Sequence, residues 1–208
     1  MPKKILNRKN TRSTPAADHS HDREGLERLI FFSDAVFAIA ITLLSLDIRL
    51  PETDANLTNA ELFQSILSIG PKYIAFVISF LVIGMIWAGH HRKFRLIRGY
   101  DSTLILLNLF LLMVIAFLPF PTSLLSTYGN LTATVFYAGV MIVASFLSVC
   151  IWWYASYNDR LIDPTLNPRQ RRRETLGPLL VIGVFTLSIG VAFINPGLSR
   201  FIWILVAF

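Results

Sequence analysis

Residues 28–50, RLIFFSDAVFAIAITLLSLDIRL, form an apolar run of membrane-spanning length that carries one acid, Asp34, about a turn and a half inside its start. An ionised carboxylate near the bilayer interior costs roughly 2.5–3.5 kcal/mol even on the lenient insertion scale. Asp34 must therefore face protein or water and find a hydrogen-bond donor, so the function of the chain is sought around it. Apolar runs of similar length recur downstream, and 54% hydrophobic against 15% charged residues is a membrane-protein composition. The expected fold class is an all-α membrane protein.

The runs divide the 208 residues into a tail and one membrane domain. Residues 1–24 are polar and basic without an apolar period, which predicts a disordered basic cytoplasmic tail and no secretory signal. Residues 25–208 form the transmembrane domain. The first span is predicted over 28–48, the second over 60–91 with a bend at Gly70-Pro71, and the third over 102–118, ended by Pro119-Phe120-Pro121. The fourth and fifth follow over 131–154 and 176–194. The last run, 198–208, has eleven residues, about 17 Å of helix against a hydrocarbon core of about 30 Å, which predicts a truncated sixth helix.

Charge placement orients the chain. Of nineteen Lys and Arg residues, seven lie in 1–28, four in 92–98 and five in 160–173. In an alternating topology these segments share one side, and the positive-inside rule makes that side the cytoplasm. This predicts an integral membrane protein with a cytoplasmic N-terminus. The net charge of +6 is thus read as topology determinants and contacts to anionic lipid, with no nucleic-acid role. The single cysteine, Cys150, excludes an internal disulfide and a cysteine-rich metal site.

On a helical projection with Ile39 at zero, Thr42 falls at about −60°, Leu43 at about +40° and Leu46 at about −20°. The four share a stripe, continued towards the basic end by Phe32 and Ala35. Ser33 and Asp34 fall on the far side, at about +120° and −140°. If the stripe meets a pore axis, Asp34 looks back at the supporting helices. An aliphatic stripe alone is more often core or lipid-facing, and a helical Thr often bonds the carbonyl one turn earlier. Asp34 separates this helix from that ordinary case. The second span runs opposite to the first and ends in Trp87-Ala88-Gly89-His90-His91, at the depth of Asp34. Indole and imidazole N–H groups are suitable donors for a partly buried carboxylate. Adjacent histidines diverge by about 100°, and no acid or cysteine motif joins them, so a metal site is not expected.

Arg28-x-x-x-Phe32-Ser33-Asp34, followed by Ala38-Ile39 and Thr42-Leu43-Leu44, resembles the signature of the endolysosomal potassium channel family in its single-repeat prokaryotic branch. Trp87 with His90 or His91 is similar to that family's supporting network. The resemblance implies a homotetramer of six-span subunits whose first helices line a central pore, with potassium ions as permeant and no cofactor. It also implies that Ile39 forms the main constriction, that Thr42 is a hydroxyl ring one turn outward, and that Leu43 and Leu46 are further apolar layers. Arg28, Ser33 and Asp34 would hold the helix through Trp87 and the histidines.

No Thr-Val-Gly-Tyr-Gly carbonyl filter occurs in the chain. A narrow apolar ring can give a modest preference for potassium, which sheds its water more cheaply than sodium, and it can close by dewetting. The competing class is a secondary transporter or proton-conducting membrane carrier. That class calls for internal repeats, broken midplane helices and several intramembrane charges, and spans three to five read as uncharged. An enzyme would need paired acids, a nucleophile–base pair or metal ligands at midplane, and none is expected.

Overall fold

The computed structural model describes residues 15–50 and 57–203, with side chains described from residue 23 onwards and Arg200 excepted. Among the described residues the chain is helical: α1 Pro15–Leu43, α2 Asn59–Ser68, α3 Gly70–Leu96, α4 Ser102–Phe117, α5 Pro119–Tyr128, α6 Leu131–Ser156, α7 Pro168–Ala192 and α8 Pro196–Ile202. Among the described residues, five stretches have the length and composition to cross a membrane: Arg23–Asp47, Gly70–Leu96, Ser102–Tyr128, Leu131–Asp159 and Pro168–Ala192. The all-helical membrane class follows from these runs.

Several boundaries differ from the expected ones. Helix α1 already begins at Pro15, so its first turns occupy part of the stretch read as tail; residues 1–14 lie outside the described residues. Pro119 ends α4 but also opens α5 at its first turn, where a proline's missing N–H is harmless, so the third span continues to Tyr128. Helix α7 begins eight residues before its apolar run, with Asn167 capping the Arg169 amide and Pro168 in the first turn. Its charged opening is helical because Arg, Gln and Glu are good helix formers. The bend at Gly70-Pro71 is present, with Ile69 separating α2 from α3. The short last run is represented by the seven-residue α8, and 204–208 lie outside the described residues.

Helix α6 is the hub. Tyr137, Ala138, Met141, Ala144, Ser145, Ile151, Trp152 and Ala155 are all buried along it. Small residues at helical spacing let α7 and α4 approach closely, the usual means of association where lipid supplies no hydrophobic drive. Trp203 closes the far end by stacking on Tyr137 at 4.8 Å and donating its indole N–H to Ser188 Oγ at 2.8 Å. Trp152 is buried and donates to the Arg171 carbonyl, whereas its neighbour Trp153 is exposed.

The basic connections are joined at one end of the bundle. The Arg98 amide donates to the Leu161 carbonyl at 2.7 Å beside an Ile97–Ile162 bridge, and Arg98 pairs with Asp163. Tyr100 lies so close to Gly25 that a side chain there would collide with its ring, bringing the start of α1 to the same end. Asp101 caps the Leu104 amide, accepts from the Tyr154 hydroxyl at 2.6 Å and faces Arg160 at 3.4 Å. Partial burial pushes its carboxyl up, but Tyr154, the Leu104 amide and Arg160 together hold it below its ordinary value of 3.8. A lowered folded value means that this contribution to stability is present above about pH 4 and is lost as pH falls through the folded value. Thermal unfolding between pH 3 and 6 should therefore show an acid loss that Tyr154→Phe reduces; identical pH profiles would contradict the role given to Tyr154.

Candidate functional site

One face of α1 is locked into the subunit and the opposite face is bare. Ser33, Phe37, Ala40 and Leu44 are buried at spacings of four, three and four residues. Ile39 is 58% exposed, Leu43 40% and Leu46 57%, with Thr42, Ala35 and Phe32 exposed beside them. The α-helix ends at Leu43 and tightens into a 3-10 turn over Leu44–Asp47. Leu46 is therefore not at strict α-helical register, yet it stays on the exposed side. The Thr42 hydroxyl donates to the Ile39 carbonyl at 2.8 Å, so its proton is committed and its oxygen lone pairs point outward as acceptors.

Behind α1 lies a chain of polar contacts. Asp34 Oδ1 accepts from Trp87 Nε1 at 2.7 Å, the partnership expected from equal depth. Ser33 donates to the Leu29 carbonyl at 2.8 Å, so its Oγ is free to accept from Asn108 Nδ2 at 2.9 Å. That sets the amide orientation: Asn108 Oδ1 is an acceptor, and His90 Nε2–H donates to it at 2.8 Å. The His90 ring stacks on Phe94 at 4.2 Å and packs against Phe37 at 5.5 Å. Thus α1, α4 and α3 are tied by Ser33, Asn108 and His90, with Asp34–Trp87 as a second tie.

The two histidines have different roles. His90 reaches α1 only through Asn108, and His91 lies against Trp87 at 5.7 Å between ring centres. Arg28 and Phe32 are exposed, and among the described residues Arg28 has no ion pair, so neither joins the network within one subunit. Removing the Asp34 donor by Trp87→Phe should lower stability by about 1 kcal/mol, below the roughly 1.5–3 kcal/mol of a charged hydrogen bond because Asp34 is only half-buried. Thermal unfolding in detergent measures it, and an unchanged midpoint would show that the contact holds nothing.

Two features escaped the sequence reading. Asp47, at the other end of the span, accepts from Ser123 at 2.6 Å and Ser126 at 2.8 Å, anchoring the 3-10 turn that follows α1 to α5. An acid closing the same apolar run that Asp34 opens was the available signal. Lys93 and Glu174, both outside the bounds read for the spans, are buried within helices α3 and α7. Lys93 continues the buried α3 face of Ser79, Ile83 and His90.

The α1 face and the polar ties behind it lie in a stretch that matches a family model. Residues 28–119 match the model of the endosomal/lysosomal potassium channel TMEM175. A potassium channel of Streptomyces collinus is 36% identical over 83% of this chain and 84% of its own length. The chain belongs to the TMEM175 family. A potassium channel of Chamaesiphon minutus is also 36% identical, over 82% of this chain and 87% of its own. The crystal structure of a lysosomal potassium-selective channel TMEM175 homolog from Chamaesiphon minutus superposes with a TM-score of 0.77 at 31% identity, covering 88% of this chain and 95% of that one. The TMEM175 match takes in α1 from Arg28 onwards, including Asp34, and the α3 and α4 residues Trp87 and Asn108 that hold the helix.

Proposed function

We propose that the chain is the subunit of a potassium-selective leak channel, a homotetramer in a bacterial inner membrane with its N-terminus in the cytoplasm. In this reading four α1 helices line the pore, Ile39 forms the constriction and gate, Thr42 presents a ring of acceptor oxygens one turn outward, and Leu43 and Leu46 add apolar layers. The observation that carries it is the division of α1 into a locked polar-backed face and a bare aliphatic one. An isolated subunit cannot bury that face, and symmetric copies placing it around an axis would. Membership of a family of potassium channels supports the permeant ion.

The constriction acts through dehydration. A cation passing Ile39 loses water without gaining oxygen ligands, and potassium does so at lower cost than sodium. The preference is modest beside that of a carbonyl filter, and the same ring closes by dewetting. Arg28 and Phe32, exposed in the single subunit, are assigned to contacts between copies. Purified protein in planar bilayers under a potassium/sodium gradient should show ohmic single-channel steps and a reversal potential on the potassium side. Saturable flux without unitary steps would favour a carrier instead.

A further inference from the structure

Towards the basic end of the bundle, α3, α6 and α7 line two adjoining cavities, neither of which includes an α1 residue. The first, about 380 Å³, is lined by Val82, Met85, Ile86, Leu180 and Val181 on its apolar side and ends at Lys93 and Glu174. The second, about 570 Å³, is a basic cup of Arg92, Arg95, Arg169 and Arg173 around the same Glu174. Arg92, Arg173 and Glu174 line both, so groove and cup are continuous.

From the chemistry of this pair we infer that the groove is a binding site for an anionic phospholipid of the leaflet on the basic side, its phosphate in the arginine cup and an acyl chain along α3 and α7. Charge complementarity selects the headgroup. Five cations line the two cavities against the single carboxylate Glu174, which already faces Arg92 at 3.5 Å. Among the described residues Arg95, Arg169 and Arg173 have no carboxylate partner. Lys93 at the floor is buried, its ammonium held by Ser148 Oγ at 2.5 Å and the Ser148 carbonyl at 3.3 Å. A bidentate fork of guanidinium groups suits phosphate oxygens, and basic pockets between helices at this depth are suited to lipid headgroups. Geometry selects the tail. From Val82 to Gly89 the groove follows α3 for about 10 Å of apolar wall before it reaches Arg92. Leu180 on its rim is 68% exposed, so the groove opens sideways. A free anion would satisfy the cup but leave that wall empty.

The inference rests on the membrane-spanning fold and not on the pore reading, so either can fail without the other. Native mass spectrometry of the full chain released from vesicles tests it, comparing phosphatidylglycerol with phosphatidylcholine. Wild type should retain phosphatidylglycerol selectively. The Arg92→Gln/Arg173→Gln double variant should bind it about 25-fold more weakly, at about fivefold for each arginine. Arg98→Gln, at the same end but outside the groove, should leave retention unchanged. Inorganic phosphate alone should not displace the lipid. Both arginines are exposed, so the double variant should fold, and Lys93→Met gives an independent loss from the floor of the groove. Equal retention of the two lipids, an unaltered affinity in the double variant, or displacement by inorganic phosphate would each overturn the proposal.

Discussion

Replacing Ile39 with asparagine is expected to raise sodium permeability relative to potassium by about tenfold and to enlarge the resting leak. An amide in place of a branched hydrocarbon offers each dehydrating cation an oxygen, and sodium, which holds its water more tightly, gains more from it. Tenfold corresponds to about 1.4 kcal/mol of barrier, a modest fraction of the water–ligand exchange involved. The amide also keeps the constriction wet, removing the dewetted closed state. Bi-ionic reversal potentials and open probability in bilayers read both effects. Ile39 is exposed and lies off the locked side of α1, which is Ser33, Phe37, Ala40 and Leu44, so the variant should fold normally. An unchanged reversal potential would remove Ile39 from the ion path.

The second large effect is expected from Asn108→Leu. Interhelical hydrogen bonds in membranes are worth about 0.6 kcal/mol on average. This substitution should cost more, about 1–3 kcal/mol, because it strands the His90 Nε2–H in a buried setting. It also removes the donor to Ser33, cutting the tie between α1 and α4. His90→Phe removes the stranded donor and keeps a ring to pack against Phe37 and Phe94. The double variant should therefore be less destabilised than the sum of the singles by about 1 kcal/mol, as expected for groups in one network. Thermal unfolding of all four forms in one detergent measures the coupling. Strict additivity would mean that Asn108 and His90 do not act as a unit.

Much of this arrangement is legible in the residues. The apolar runs locate the five spans because lipid requires each to be continuous, and the bend at Gly70-Pro71 follows from proline chemistry. Hydropathy is blind where a helix leaves the hydrocarbon, which is why the charged opening of α7 and the early start of α1 were missed. Pro119 was read as a stop although it equally begins a helix. At the site, depth and direction alone brought Asp34 to the Trp87–His91 group, and the structure selects Trp87 from it as the donor. The route from Ser33 to His90 could not be read this way, because it depends on how α4 is rotated to present Asn108 between them. Likewise, whether a lysine such as Lys93 reaches water or turns inward depends on its neighbours on α6, here Ser148.

Cysteine accessibility tests the pore wall most directly. In a Cys150→Ser background, Ile39→Cys, Leu43→Cys and Leu46→Cys should each give potassium currents blocked by a water-soluble methanethiosulfonate reagent. Leu106→Cys, exposed on α4 and outside the α1 stripe, should not. Currents that persist through the α1 variants while Leu106→Cys is blocked would contradict a pore built from α1.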